Sequence, residues 1–127
     1  MNITYLVPKD KGDVETAKRL SGYTYEEVKP IISQLMSCIE DMNWPIGYYV
    51  ANYLKTITEH LSAEILEILK TNDGMWKYWT LIVFGDIIDN LAIKEEIKRI
   101  AIDPTYDEID CEVNEVANKI MVARNWY

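Results

Sequence analysis

The chain has 127 residues, 49% of them hydrophobic, and its 21 acidic and 13 basic residues give a formal net charge of −8. A single domain of this length buries about two thirds of its unfolded surface, so one sizeable core is expected. The net negative charge opposes a phosphate backbone and an anionic membrane surface, and no apolar run reaches the roughly 18 residues of a membrane span. We therefore expect neither a nucleic-acid partner nor a membrane partner.

The N-terminal segment, residues 1–23, predicts one short helix near residues 14–20 that is closed by Gly22. The segment lacks the basic-then-apolar order of a secretory signal, which predicts a cytoplasmic location. The two cysteines, Cys38 and Cys111, lack metal-type spacing and are expected to be reduced and buried.

Residues 24–60 predict a first helical hairpin, with helices over 25–40 and 45–59. Apolar residues recur at helical spacing in both halves, as in Val28, Ile31, Ile32, Leu35, Met36 and Ile39, and in Ile46, Tyr49, Val50, Tyr53, Leu54 and Ile57. Thr24 and Glu27 have the spacing of a capping box. Pro30 is expected to kink the first helix or to start its main part, and Pro45 suits the first turn of the second.

Residues 61–90 predict a second hairpin, with helices over 62–71 and 74–89. The segment "WTLIVFGDII" over 79–88 is apolar up to Gly85 and alone could be a buried strand. A helix is favoured because Asp73 can cap it, the flanking residues lengthen it, and no second strand is available for pairing. A helix that is apolar all round is expected to be the central one, with Ile82 and Val83 buried.

Residues 91–124 predict a third hairpin, with helices over 92–102 and 107–123. Thr105 and Glu108 offer another capping box ahead of the second helix. The apolar stripe of that helix consists of Ile109, Val113, Val116, Ala117, Ile120 and Met121.

An aspartate marks the turn inside each predicted hairpin, and these aspartates recur with a nearly constant period. Asp41 and Asp73 are 32 residues apart, Asp73 and Asp103 are 30 apart, and the first two begin Asp-x-x-Trp tetrads. Such a period predicts an all-α fold, a short right-handed α-solenoid similar to HEAT or armadillo repeats, with about three helical hairpins after a short N-terminal helix. The predicted core contains Leu35, Ile39, Val50, Leu54, Ile82, Val83, Val113 and Ile120.

Five segments of the chain, "LVPKDKGD", "YEEVKPIISQL", "EDMNWPIGYYVANYL", "ILKTNDGMWKYW" and "RIAIDPTYDEIDCEVNEVANKI", resemble a bacterial family of small proteins, the domain of unknown function number 5071. The similarity runs from Leu6 to about Met121, and "DMNWP" and "TNDGMWKYW" are its most specific pieces. The resemblance implies a compact all-helical fold similar to HEAT repeats, and it implies no activity and no catalytic residues. The third turn separately resembles a HEAT-repeat turn and second helix.

Few residues are candidates for catalysis or metal binding. His60 and Glu64 form an i, i+4 pair, but two ligands do not make a metal site, and one histidine does not complete a catalytic triad. Asp86 and Asp89 follow the most apolar stretch and would have perturbed pKa values if buried, although an outward position is the simpler interpretation. No catalytic residue, metal site or cofactor is predicted.

Aromatic residues are the most unusual feature, with four Trp and nine Tyr against one Phe. Trp44, Trp76 and Tyr49 are interpreted as packing residues between the helix pairs. Tyr48 and Tyr78 lie off the main apolar stripes and are candidates for an exposed recognition surface. The third turn is acidic, because residues 103–118 hold six acidic groups and no basic one. We therefore add Asp107, Glu108 and Asp110 to the candidate residues of the recognition surface.

Two classes of function remain open. The first is a non-enzymatic module that binds a protein partner, of which an antitoxin, an immunity protein or a regulatory binding protein would be versions. The second is an enzyme that uses carboxylates and aromatic residues in a helical groove, as some HEAT-like proteins do on damaged nucleic-acid bases. The net negative charge disfavours the second class, although a local basic strip formed by Lys9, Lys11, Lys18 and Arg19 would favour it.

Overall fold

The computed structural model of the chain describes residues 3–126, and every regular element in this range is helical, with no strand. The α helices are α1 (Val14–Arg19), α2 (Tyr25–Val28), α3 (Ile32–Ser37), α4 (Pro45–Lys55), α5 (Ser62–Leu69), α6 (Gly74–Phe84), α7 (Leu91–Ile102), α8 (Tyr106–Asp110) and α9 (Val113–Arg124). Short 3₁₀ helices cover Thr4–Leu6, Leu20–Gly22, Lys29–Ile31 and Thr58–His60. The predicted all-helical class is confirmed.

The predicted helix over 25–40 is interrupted at Pro30. The Thr24–Glu27 capping box starts α2, the 3₁₀ turn Lys29–Ile31 follows, and α3 then ends at Ser37. Pro30 has no N–H to donate to the preceding turn, so the chain changes helix type at the position where a kink was expected.

Two predicted helix ends lie beyond the observed ones. The second helix of the first hairpin ends at Lys55, not at residue 59, and α6 ends at Phe84, not at residue 89. The Arg124 Nη1 donates hydrogen bonds to the carbonyl oxygens of Gly85 (3.0 Å) and Ile88 (2.6 Å), so a side chain from α9 satisfies backbone acceptors beyond α6.

The predicted helix over 107–123 is two helices, α8 and α9, which meet at a left-handed residue. Glu112 has a φ of 62°, a conformation that no residue inside an α helix adopts. This break rotates α8 relative to α9, so Ile109 is exposed although it continues the apolar stripe of α9 in sequence.

Direct contacts join the helices of the second and third predicted pairs. Within the second and third pairs, α5 contacts α6 and α7 contacts α9; between pairs, α5 contacts α7, α4 contacts α6, and α6 contacts α9. The N-terminal helix α1 packs on α4. The start of α6 lies against α8, since a Cβ at Gly74 would collide with the Asp107 carbonyl group and would lie 2.8 Å from the Cys111 Sγ.

The core runs through all three pairs. Seven of the eight predicted core residues are buried, namely Leu35, Ile39, Val50, Leu54, Val83, Val113 and Ile120. Ile82 is the exception, because 46% of its surface is exposed. Cys38 and Cys111 are free thiols; Cys38 is buried as predicted and Cys111 is half-buried. Across residues 3–126, the helices lack the combination of length and apolar character that crossing a bilayer requires.

Candidate functional site

The residues of the predicted recognition surface lie in very different environments. Tyr48 is 63% exposed on α4 and Asp110 is exposed at the end of α8, so both are accessible to a partner. Tyr78 and Asp107 are half-buried. Glu108 is fully buried, and it therefore cannot belong to an exposed docking surface.

Glu108 lies in an ion-pair network with Lys77 of α6. Lys77 is only 2% exposed, and its Nζ lies 2.9 Å from the Glu108 Oε2 and 2.8 Å from the Asp107 Oδ2. An unpaired ammonium in this position would be strongly destabilising, so the two carboxylates of α8 are what allow Lys77 to be buried.

Arg99 of α7 completes the network with a bidentate contact. Its Nη1 and Nη2 donate to the Glu108 Oε1 (2.8 Å) and Oε2 (2.7 Å), and its Nε and Nη2 donate to the Glu96 Oε1 at 3.0 and 2.8 Å. The Thr105 N–H also donates to the Glu108 Oε1 at 2.8 Å, as the predicted capping box requires. Glu108 thus joins α6, α7 and α8 as a structural residue.

The same contacts shift the pKa values of the network. Burial alone would raise the pKa of Glu108, but the hydrogen bonds from Arg99, Thr105 and Lys77 outweigh it and lower that pKa to about 2. Burial opposes ionisation of Asp107 too, yet hydrogen bonds from Lys77 and Thr105 lower its pKa. The hydrogen bond to Glu108 raises the pKa of Arg99, against the opposing effect of burial. All of these shifts favour the charged forms.

We expect this network to make the stability of the protein acid-sensitive. The pKa of Glu108 falls from its ordinary value of 4.5 to about 2 on folding, so its contribution is fully present above about pH 4.5 and is lost as the pH falls towards 2. Chemical unfolding at several pH values between 6 and 2 should show this decline. The Glu108→Gln variant should decline less steeply over the same interval, and an identical slope in both proteins would contradict the assignment.

A different surface, the outward face of α6, carries exposed apolar residues. Met75, Tyr78, Trp79 and Ile82 stand at positions i, i+3, i+4 and i+7, so they share one side of the helix, and we call them the α6 face. Met75 and Ile82 are exposed, and Tyr78 and Trp79 are half-buried and meet edge to face with ring centroids 4.9 Å apart.

The α6 face was not predicted from the sequence, because the polar side chains of α6 point inward and several of its apolar side chains point outward. Its two polar side chains, Lys77 and Thr80, are both buried, whereas apolar residues point outward. A signal was present, because Lys77 and Thr80 are three residues apart and share one side of the helix, opposite the α6 face. Only the burial of a lysine, which depends on Glu108 and Asp107, decides which of the two sides points inward.

Tyr48 occupies the corresponding outward face of α4. It shares that face with Asn52 and Lys55, and its ring meets Tyr49 edge to face at 5.3 Å. Lys55 and Ile87 line one groove, so the C-terminal ends of α4 and α6 are neighbours. Tyr48 lies about two turns before Lys55 on the same helix.

A groove lies where α3, α5 and the start of α6 meet, and we call it the acidic groove. It encloses about 210 Å³ and is lined by Ser33, Met36, Glu64, Glu67, Ile68, Thr71 and Trp76. The Trp76 Nε1–H donates to the Met36 carbonyl oxygen at 3.1 Å, which fixes the indole against α3. Within the described chain, the buried Glu64 Oε2 has no hydrogen-bond partner.

The remaining candidate residues are dispersed. His60 is exposed, stacks on Tyr25 with ring centroids 4.4 Å apart, and has its Nε2 3.5 Å from the Oε1 of the adjacent Glu59. Asp86 and Asp89 are both exposed. Among residues 3–126, no group of three or more His, Cys, Asp or Glu is arranged to hold a metal ion.

The N-terminal basic residues contact aromatic rings. The Lys11 Nζ lies 4.7 Å from the centroid of Trp44, and the Lys18 Nζ lies 5.3 Å from that of Tyr49. Trp44, Tyr49 and Trp76 all pack against the core, as predicted for them. Lysines at these positions therefore cover half-buried aromatic residues.

Together these features define an all-helical structure with an exposed apolar helix face, an acidic groove and a buried ion-pair network. The profile of the family described as a domain of unknown function, DUF5071, matches residues 6–121, so the chain belongs to this family. A comparison with curated proteins gave no match.

Proposed function

We propose that this protein is a non-enzymatic module that binds another protein through the α6 face. The observation that carries the proposal is the outward stripe of Met75, Tyr78, Trp79 and Ile82 on one helix. Trp and Tyr are enriched among the residues that dominate binding energies, and an apolar helix face is a common recognition element.

The chemistry of the α6 face defines the partner. An apolar surface should cover Met75 and Ile82. The exposed carboxylates Asp110, Glu112 and Glu115 belong to α8 and its junction with α9, and α8 packs on the Gly74 and Lys77 side of α6, so they would attract a basic partner over long range and not by direct contact at the α6 face. Charges outside the contact region mainly accelerate association. Tyr48 on the neighbouring helix α4 extends the proposed surface. Glu108 and Asp107 do not belong to it, because Glu108 is buried and Asp107 is half-buried.

The arrangement of the chain suits this role. We propose that the three helix pairs form a short right-handed α-solenoid of the HEAT or armadillo type; the contacts of α4 with α6, of α6 with α9 and of α5 with α7 support this. In such a solenoid, α4, α6 and α9 share one surface. An antitoxin, immunity or regulatory role in the cytoplasm is consistent with a free-thiol, acidic binding protein.

The alternative, an enzyme with carboxylates and aromatic residues in a helical groove, would use the acidic groove. Glu64 and Glu67 both come from α5 and are three residues apart, so they lie on one wall. Acid–base pairs that cleave a bond flank it from two sides, as the carboxylates of glycosidases do. The geometry of the groove therefore supports binding better than hydrolysis.

Removing the apolar side chains of the α6 face is the decisive test. A partner captured with the wild-type protein should bind the Tyr78→Ala, Ile82→Ser double variant at least about thirtyfold more weakly, as expected when a residue worth about 2 kcal/mol is lost. Titration calorimetry with the purified partner measures this ratio. Leu91→Ser removes an exposed apolar residue elsewhere and should leave the affinity unchanged.

A charge variant tests the long-range attraction separately. Asp110→Lys with Glu112→Lys should slow association and reduce its salt dependence, with little effect on dissociation. A partner that binds all of these variants as tightly as the wild type would exclude the α6 face as the docking surface.

A further inference from the structure

We propose that the acidic groove binds an arginine side chain from a polypeptide partner. The site is distinct from the α6 face: it is lined by α3, α5, Thr71 and Trp76, and Trp76, the one α6 residue in its lining, is not part of the α6 face. It therefore gives the protein a second recognition element with its own chemistry.

The first reason is an unsatisfied carboxylate. Within the described chain, the Glu64 Oε2 is buried without a hydrogen-bond partner, although a carboxylate oxygen ordinarily accepts at least one hydrogen bond. The described residues that line the groove include no lysine or arginine. Glu64 lines the groove and its side chain is only half-buried, so a cation in the groove would meet a carboxylate that no basic side chain of the lining neutralises.

The second reason is the composition of the walls. Met36, Ile68 and the Trp76 indole surround the carboxylates, and the hydrogen bond from Trp76 to the Met36 carbonyl oxygen holds the ring in place. An arginine fits such a site because its aliphatic stem can cover apolar surface, its planar guanidinium can stack on an aromatic ring, and its N–H fork matches a carboxylate.

The third reason is size. About 210 Å³ is less than the 300–1,000 Å³ typical of clefts that engulf a whole small molecule. The exposed Ser33 and Glu67 leave the groove open on one side, so a side chain can enter while its backbone stays outside.

The electrostatic surroundings also favour a cation. Next to the Trp76 end of the groove, burial and the nearby Asp73 carboxylate raise the pKa of Glu40. Two acidic groups thus repel each other at the turn that leads into α6. The net charge of −8 would further attract a basic segment over long range.

A matched pair of peptides tests the proposal on the unmodified protein. The probe is an acetylated, amidated peptide of alternating alanine and arginine, and its control replaces each arginine with citrulline, which keeps the shape and removes the charge. Protein labelled with ¹³C at the methionine methyl groups reports the location, because Met36 lies in the groove and Met75 lies on the α6 face.

We expect the arginine peptide to shift the Met36 methyl signal in a saturable way and to bind at least about tenfold more tightly than the citrulline peptide, as loss of a charged hydrogen bond implies. Glu64→Gln should weaken binding by a similar factor. Glu95→Gln removes the same charge from the exposed side of α7 and should change the affinity less than twofold.

Four results would overturn the proposal. Equal affinity for the arginine and citrulline peptides would show that charge is not recognised, and unchanged binding to Glu64→Gln would exclude this carboxylate. Free arginine or spermidine binding as tightly as the peptide would replace the polypeptide with a small amine. A shift of Met75 without Met36 would place the peptide on the α6 face, which would support the proposed function while refuting the groove as its site.

Discussion

Glu108→Ala should lower the free energy of unfolding by about 3–5 kcal/mol, the range found when one partner of a buried ion pair is removed. The substitution leaves the Lys77 ammonium, 2% exposed, with only the half-buried Asp107 as a charge partner. It also removes the bidentate partner of Arg99 and the acceptor for the Thr105 N–H. Urea unfolding followed by circular dichroism measures the loss.

Two further variants separate the possible causes. Glu108→Gln keeps the size of the side chain and an acceptor for Thr105, so its loss should be smaller than that of Glu108→Ala and should report mainly the charge. Asp110→Ala removes an exposed carboxylate from the same helix and should change stability by no more than about 0.5 kcal/mol. Similar losses in Glu108→Ala and Asp110→Ala would contradict a structural role for Glu108.

The sequence was most informative where structure depends on neighbours in the chain. The capping boxes at Thr24 and Thr105 were predicted and are present, because each requires only residues three positions apart. Pro30 interrupts its helix for an equally local reason, the missing N–H. Helical class and the positions of the turns follow from such signals.

Predictions failed where the deciding contact is distant in sequence. Lys77 and Glu108 are 31 residues apart, and nothing near either residue indicates that they meet. Without that pair, Lys77 would be placed outward and Ile82 inward, which is the opposite of their positions. Glu108 was therefore assigned to a docking surface, although its position as the last member of a capping box was correctly identified.

The groove was harder to predict than either helix face. Its walls come from α3, α5 and the start of α6, so it exists only when these three helices are packed together. In the sequence, Glu64 stands out only as a possible metal-binding partner of His60. Its unsatisfied oxygen is a property of the packed structure and has no counterpart in a periodic pattern.

Leu54→Ala should cost about 2–5 kcal/mol of stability, because it removes a large side chain that is fully buried on α4. The loss combines the transfer free energy of the deleted atoms with the cost of the cavity that remains. Leu54 lies on the buried side of α4, which packs on α1 and on α6, so the surrounding residues can collapse only partly into the space.

Ile82→Ala is the matched control, since it deletes the same number of carbon atoms from the outward side of α6. It should change stability by no more than about 0.5 kcal/mol, because Ile82 is 46% exposed and alanine has the higher helix propensity. Urea unfolding of both variants, with an unchanged dependence on denaturant, gives the comparison. A large loss in Ile82→Ala with a loss below about 1 kcal/mol in Leu54→Ala would mean that α6 points its Ile82 side inward, and the α6 face could then not be a docking surface.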